Sequence, residues 1–342
     1  MRKVKLIFHI GRQKTATTYV QENLKYLKNV LLIGKSPSGR FYNNNIEYIH
    51  NEIFQPLIGD VKIRHLNPSA INFKTLDDYS EEIIKIILKN EEKEIFVISD
   101  ENISNYLNYL GELNTFYTII IGNLIEKKLK SKIKLNKQIS LTIRNQNSIL
   151  ISLFSYNPAF KNSFKTYLSS FTKIPKKGFA GSLFYYEIYK MIESISDRSW
   201  RVNLIPYEIL SQSKNPEKFL AYIINQKTIK LVDKEKLHEK INSTTNKSIT
   251  NKIFYKKRSS SLYRLGKKLK FNRMEKTLIN LYLNYVGIFL IFLHKVYIKF
   301  FRRKKFQVDN DNQLFVKSIY RESNKKLQRI IPEFDLKKFG YL

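Results

Sequence analysis

The chain has 342 residues, 43% of them hydrophobic, enough to bury a sizeable core in one large domain or in a domain with an appended segment. It contains no cysteine, which excludes disulfides and thiolate metal sites and fits a reducing compartment such as the cytoplasm. A formal net charge of +32 favours anionic partners (nucleic acid, an acidic membrane surface, or substrates bearing phosphate or sulfate), although lysines scattered from end to end also fit a coding bias.

The opening MRKVKLIFHIG holds only Leu6, Ile7 and Phe8 as an unbroken apolar stretch, short of the ~7–15 residues of a secretory core. Residues 4–10 therefore read as a strand. A polar turn follows, then a helix with Val20, Leu24 and Leu27 on one face. Residues 76–90 read as a helix opened by Asp77 and Asp78, with Ile83, Ile84, Ile87 and Leu88 turned inward. Residues 95–99 form a second strand, compact enough to be central and buried. A third strand spans 139–143 and a fourth 201–205. The next helix has Asn215 as N-cap, Pro216 at its first position, and Phe219, Leu220, Ile223 and Ile224 as its apolar face. Residues 227–270 turn polar and basic, as in a long loop, and the last hundred residues are mostly helical by pattern. No internal repeat is evident. Strands alternating with helices predict an α/β fold with a mainly parallel sheet.

Between the first strand and its helix lies His9-Ile10-Gly11-Arg12-Gln13-Lys14-Thr15-Ala16-Thr17-Thr18. A strand–loop–helix turn aims backbone N–H groups and the positive helix end at one point, where a phosphate fits. Lys14 adds a mobile charge and the threonines add hydroxyl donors. Only Arg12 and Gln13 separate Gly11 from Lys14, so the spacing is not that of an ATP- or GTP-hydrolysing loop. The competing reading is a polar turn with incidental threonines.

This loop resembles the 5′-phosphosulfate loop, Lys-Thr-Gly-Thr-Thr, of sulfotransferases that use 3′-phosphoadenosine 5′-phosphosulfate (PAPS). Ala16 stands where that loop usually has Gly; a helical φ would suit alanine and a positive one would strain it. The resemblance also implies a strand ending in Arg, with Ser eight residues later, gripping the 3′-phosphate. Arg144 ends the third strand and Ser152 follows at that spacing. Pro206-Tyr207-Glu208 is similar to the family's Tyr-Glu-x-Leu segment, and Tyr320 to Asn324 with Asp335 to Tyr341 is similar to the ends of bacterial carbohydrate sulfotransferases. The family places its base after the second strand, which makes Glu101 the first candidate and Asp100 the second. The competing reading makes Asp100 a helix cap and Glu101 a solvated first-turn carboxylate.

The resemblance thus implies a three-layer, P-loop-like α/β fold, with 1–226 as the PAPS-binding core and 227–342 a basic, mostly helical region completing the same domain. It implies transfer of a sulfuryl group from PAPS to a hydroxyl of a carbohydrate: a capsular polysaccharide, a lipopolysaccharide or a glycolipid. Gly11, Arg12, Gln13, Lys14, Thr15, Ala16, Thr17 and Thr18 would hold the 5′-phosphosulfate, Arg144 and Ser152 the 3′-phosphate, with Lys14 and Glu101 catalytic. His50 and His65 are candidates to line an acceptor cleft beside Asp100. The five histidines, at 9, 50, 65, 238 and 294, show no metal-ligand spacing, so no metal is expected, and His9 reads as a hydrogen-bonded structural residue. Residues 278–301 are apolar with basic flanks but are interrupted by Asn280, Asn284, His294, Lys295 and Lys299. They read either as a helix packed on the core or as an amphipathic helix on the inner, anionic membrane surface. Two rival functions remain, a P-loop small-molecule kinase and a basic nucleic-acid-binding protein, and for the second no nucleic-acid motif is present.

Overall fold

A computed structural model of the chain describes residues 1–11, 15–36, 41–54, 73–100, 103, 110–156, 183–212, 216–232 and 310–342. All of these fall in a unit composed of Met1–Ile241 and Val308–Leu342. Five parallel strands form its sheet: β1 (Arg2–Gly11), β2 (Val30–Leu32), β3 (Ile95–Ser99), β4 (Ile133–Ile143) and β5 (Trp200–Pro206), in the order β2-β3-β1-β4-β5. Among the described residues the helices are α1 (Thr17–Leu24), α2 (Asn44–Phe54), α3 (Phe73–Lys89), α4 (Leu110–Leu129), α5 (Gln146–Tyr156), α6 (Tyr185–Ile195), α7 (Glu208–Gln212), α8 (Pro216–Ile224) and α9 (Asn310–Ile330).

The four expected strands are thus five. β2, at three residues, offers too short an apolar run to register as a strand. β4 starts at Ile133 and not at 139, because Lys134, Asn136, Lys137 and Gln138 give its first half a polar sequence.

Helices cover both faces of the sheet. Leu6, Ile7 and Phe8 are consecutive in β1, so they point to opposite faces, and all three are fully buried. On one face Gln138 Nε2 and Ser140 Oγ donate to the Ile223 carbonyl of α8, at 3.1 and 2.7 Å. Lys5 Nζ closes the same helix end by donating to the carbonyls of Ile224 and Asn225 at 2.9 and 3.0 Å, as a cation should at a helix C-terminus. On the other face Lys137 reaches Glu126 of α4 (2.6 Å) and lies 5.2 Å from the centre of the Trp200 ring. That ring packs against Gly122 and Phe8, and its Nε1 donates to Asn123 Oδ1 at 2.9 Å.

Helix α9 touches α5 and α6 and buries Val316, Tyr320 and Leu327. The chain then runs back towards the turn after β4. No described helix is long and apolar enough to cross a membrane. Residues 278–301 lie outside the described residues, as does the Asn215 cap.

Candidate functional site

From β1 the chain winds towards β2 on one side, and from β4 it winds towards β5 on the other. The winding reverses between β1 and β4, and a parallel sheet opens its ligand crevice beyond the carboxyl ends of two such strands. Gly11 pairs in register with Thr142, so the segment after β1 and the turn after β4 start side by side.

On the β1 side, Ala16 caps α1 with φ 66° and ψ 23°, in the left-handed region. The helical φ that would have suited alanine is not adopted. A left-handed alanine costs about 1–2 kcal/mol, a strain of the kind held at functional sites. Thr15 and Thr17 are buried and Thr18 is exposed at the first turn. The Thr17 hydroxyl lies over Gly11, where any Cβ would run into it. It is buried and has no hydrogen-bond partner among the described residues. Such an orphan costs about 1–3 kcal/mol unless something satisfies it. With the N–H groups that a helix start leaves without intrahelical partners, it forms a corner whose chemistry suits an anion. Arg12, Gln13 and Lys14 lie outside the described residues.

On the β4 side, Arg144 leaves the strand half-buried. Its Nε and one terminal nitrogen donate to Ser148 Oγ at 3.1 and 2.9 Å, and the guanidinium stacks 4.7 Å from the centre of the Tyr207 ring. Ser148, four residues on, thus braces the fork, and Ser152 lies half-exposed one turn further along α5. The i, i+4 spacing on a helix could have pointed to Ser148. The backbone here is pinned too: the Tyr185 hydroxyl donates to the Arg144 carbonyl at 2.7 Å, and Asn145 N–H donates to Glu208 Oε1 at 2.9 Å. Burial pushes the Glu208 carboxyl above its usual range; the Asn145 N–H, the Tyr341 hydroxyl and Arg144 oppose that shift.

The β3 side is closed. Asp100 follows β3 and meets His50 Nε2 at 2.8 Å, with both side chains 1% exposed. A carboxylate only accepts, so His50 Nε2–H donates to it, and Nδ1 pairs with the Tyr79 hydroxyl at 2.7 Å. Phe41 and Phe54 pack on the imidazole. Burial and the nearby Asp100 charge push the Tyr79 phenol well above its usual range. The sequence placed Asp100 and His50 in one region, and the structure joins them as a buried pair. Glu101 and His65 lie outside the described residues.

Between the two sides His9 spans three strands, with Nδ1 at 2.8 Å from Ser99 Oγ and Nε2 at 2.9 Å from Thr142 Oγ1. Burial pushes its pKa down to about 3, so the ring is neutral and structural near pH 7. Among the described residues no group of three or more His, Asp or Glu could hold a metal ion.

Fold and site together define a parallel α/β protein whose winding reverses between β1 and β4. No family model matches the chain, and neither does any curated protein.

Proposed function

We propose that this protein is a PAPS-dependent sulfotransferase acting on a carbohydrate hydroxyl. The observation that carries the reading is one juxtaposition. The strained, orphan-bearing start of α1 and the braced Arg144–Ser148 fork flank the same winding reversal. The left-handed φ at Ala16 adds support, because it falls where the resembled loop has Gly. On this reading the fold is P-loop-like, and residues 227–342 complete the same domain.

In the reaction the acceptor oxygen attacks sulfur in line, and the bond from sulfur to the bridging oxygen of the phosphosulfate breaks. The acceptor's proton passes to Glu101, and adenosine 3′,5′-bisphosphate (PAP) leaves. Charge grows on the bridging oxygen, and Lys14 with the N–H groups of α1 is the natural complement to it. Asp100, paired with His50, is the second candidate for the base. A glycan is the acceptor class that the resemblance implies.

The test is calorimetric titration of PAP, ATP and ADP in parallel. Sub-millimolar PAP binding with little from the other two supports the reading. Preference for ATP would favour a kinase, and equal binding of all three would overturn the donor site. Salt-steep affinity for RNA with no PAP binding would point to the nucleic-acid class.

A further inference from the structure

The last residues of the chain do not trail off at the surface. Beyond α9, Gly340 takes φ +80°, and its carbonyl accepts from Asn145 Nδ2. Tyr341, 1% exposed, donates its hydroxyl to Glu208 Oε2 at 2.9 Å, while Glu208 Oε1 accepts from Asn145 N–H. One carboxylate thus joins the tail to the turn that carries Arg144. A second tie runs in parallel. Gln146 Nε2 donates to Asn324 Oδ1 (2.9 Å), and Asn324 Nδ2 donates to the Tyr341 carbonyl (2.8 Å). Asn145 Oδ1 accepts from Ser148 N–H, so the residue gripped by the tail also caps the helix bearing the Arg144 partner. Lys317 Nζ holds the Leu342 carbonyl at 3.0 Å.

We infer that the tail, through Tyr341 and Gly340, is a positioning element for Arg144: its docking sets the guanidinium fork, and an anion held by that fork stabilises the docked tail in return. The inference deepens the donor-site reading above and rests on it for the identity of the anion. The physical case is one of pre-organisation. A fork binds a phosphate well only if its donors are held before the anion arrives. The turn after β4 is short, and the braces that the tail side puts on Asn145 and Gln146 come from residues more than 170 positions away. Coupling of this kind is reciprocal by linkage.

The experiment uses the full chain, with Tyr341→Phe removing one hydroxyl and Asn145→Ser keeping a cap acceptor but losing reach to Gly340. Each variant is titrated with PAP and with adenosine 5′-phosphate, and hydrogen exchange of the 144–149 amides is followed without nucleotide. The expected result is an about tenfold loss of preference for PAP over adenosine 5′-phosphate, with exchange faster at 144–149 and unchanged in β1 and β3. Equal loss for both nucleotides, or none for either, overturns the inference. If the wild-type chain shows no preference for PAP, the donor reading fails and exchange alone decides. Faster exchange confined to 144–149 in both variants then sustains the tail's hold on the turn, and global or absent change overturns it.

Discussion

Asp100, at the end of β3, and Arg144, at the end of β4, are both charged side chains carried to the same edge of one sheet, but their surroundings diverge. Asp100 faces His50 and, through it, Tyr79, under a cover of aromatic rings, and water is excluded. Arg144 is braced by Ser148 and Tyr207 yet keeps contact with solvent. A buried pair that lost one partner would leave a charge stranded, so the β3 cluster is a fixture of the fold. A planar cation that keeps contact with solvent can meet an incoming anion, and on the donor-site reading the β4 cluster is where binding energy is gained.

Acid should act hardest between the two sides, at His9. In the folded chain His9 resists protonation down to about pH 3, whereas unfolded it titrates near its ordinary 6.5. Its folded pKa is depressed, so the unfolded chain binds the extra proton and stability is lost as pH falls from 6.5 towards 3. The full loss is about 5 kcal/mol. Urea unfolding at pH 7.5 and pH 4 should show about 3 kcal/mol of it, the part lost above pH 4, and His9→Gln should flatten the difference.

Next in size, Asp100→Ala should cost about 3–5 kcal/mol of stability by stranding His50. The surviving folded protein should keep its affinity for PAP. A variant with full stability and weakened PAP binding would reverse the contrast between the two sides.

Arg144→Ala should behave the opposite way. Its urea midpoint should move little, while PAP affinity falls by about 1.5–3 kcal/mol, the worth of hydrogen bonds to a charged group. Adenosine 5′-phosphate should be affected far less. Equal losses would make Arg144 a structural residue like Asp100.

The smallest effect sharpens the picture on the β1 side. Ala16→Gly relieves the left-handed φ and should raise stability by about 1 kcal/mol, net of glycine's greater freedom when unfolded. An unchanged or lowered urea midpoint would mean that Ala16 carries no strain.

Short-range pattern carried most of the fold into view. The bounds of β3 coincide with its apolar run, α8 starts at its proline, and β1 and β5 extend their predicted cores by a residue or two at each end. Two stretches defeated the pattern. The first half of β4 hides Lys137, which is buried because Glu126 and the Trp200 ring receive it across the sheet. β2 is held by pairing to β3 and not by any run of its own. Of the site, the order of the motifs was legible because each follows directly from a strand end. The partners were not. His50 with Asp100, and Glu208 with Tyr341, are joined across 50 and 133 positions by packing alone, which leaves no local trace.

Trp200 is the only tryptophan in the chain, and it sits where β5 begins, walled in by Phe8, Gly122 and Lys137. Along β4 that is about 20 Å from Arg144. The molecule thus carries a built-in optical gauge of its own integrity, remote from the crevice. Its emission should shift when the sheet comes apart and stay still when a nucleotide binds, so one cuvette can separate a variant that has lost its shape from one that has lost its grip.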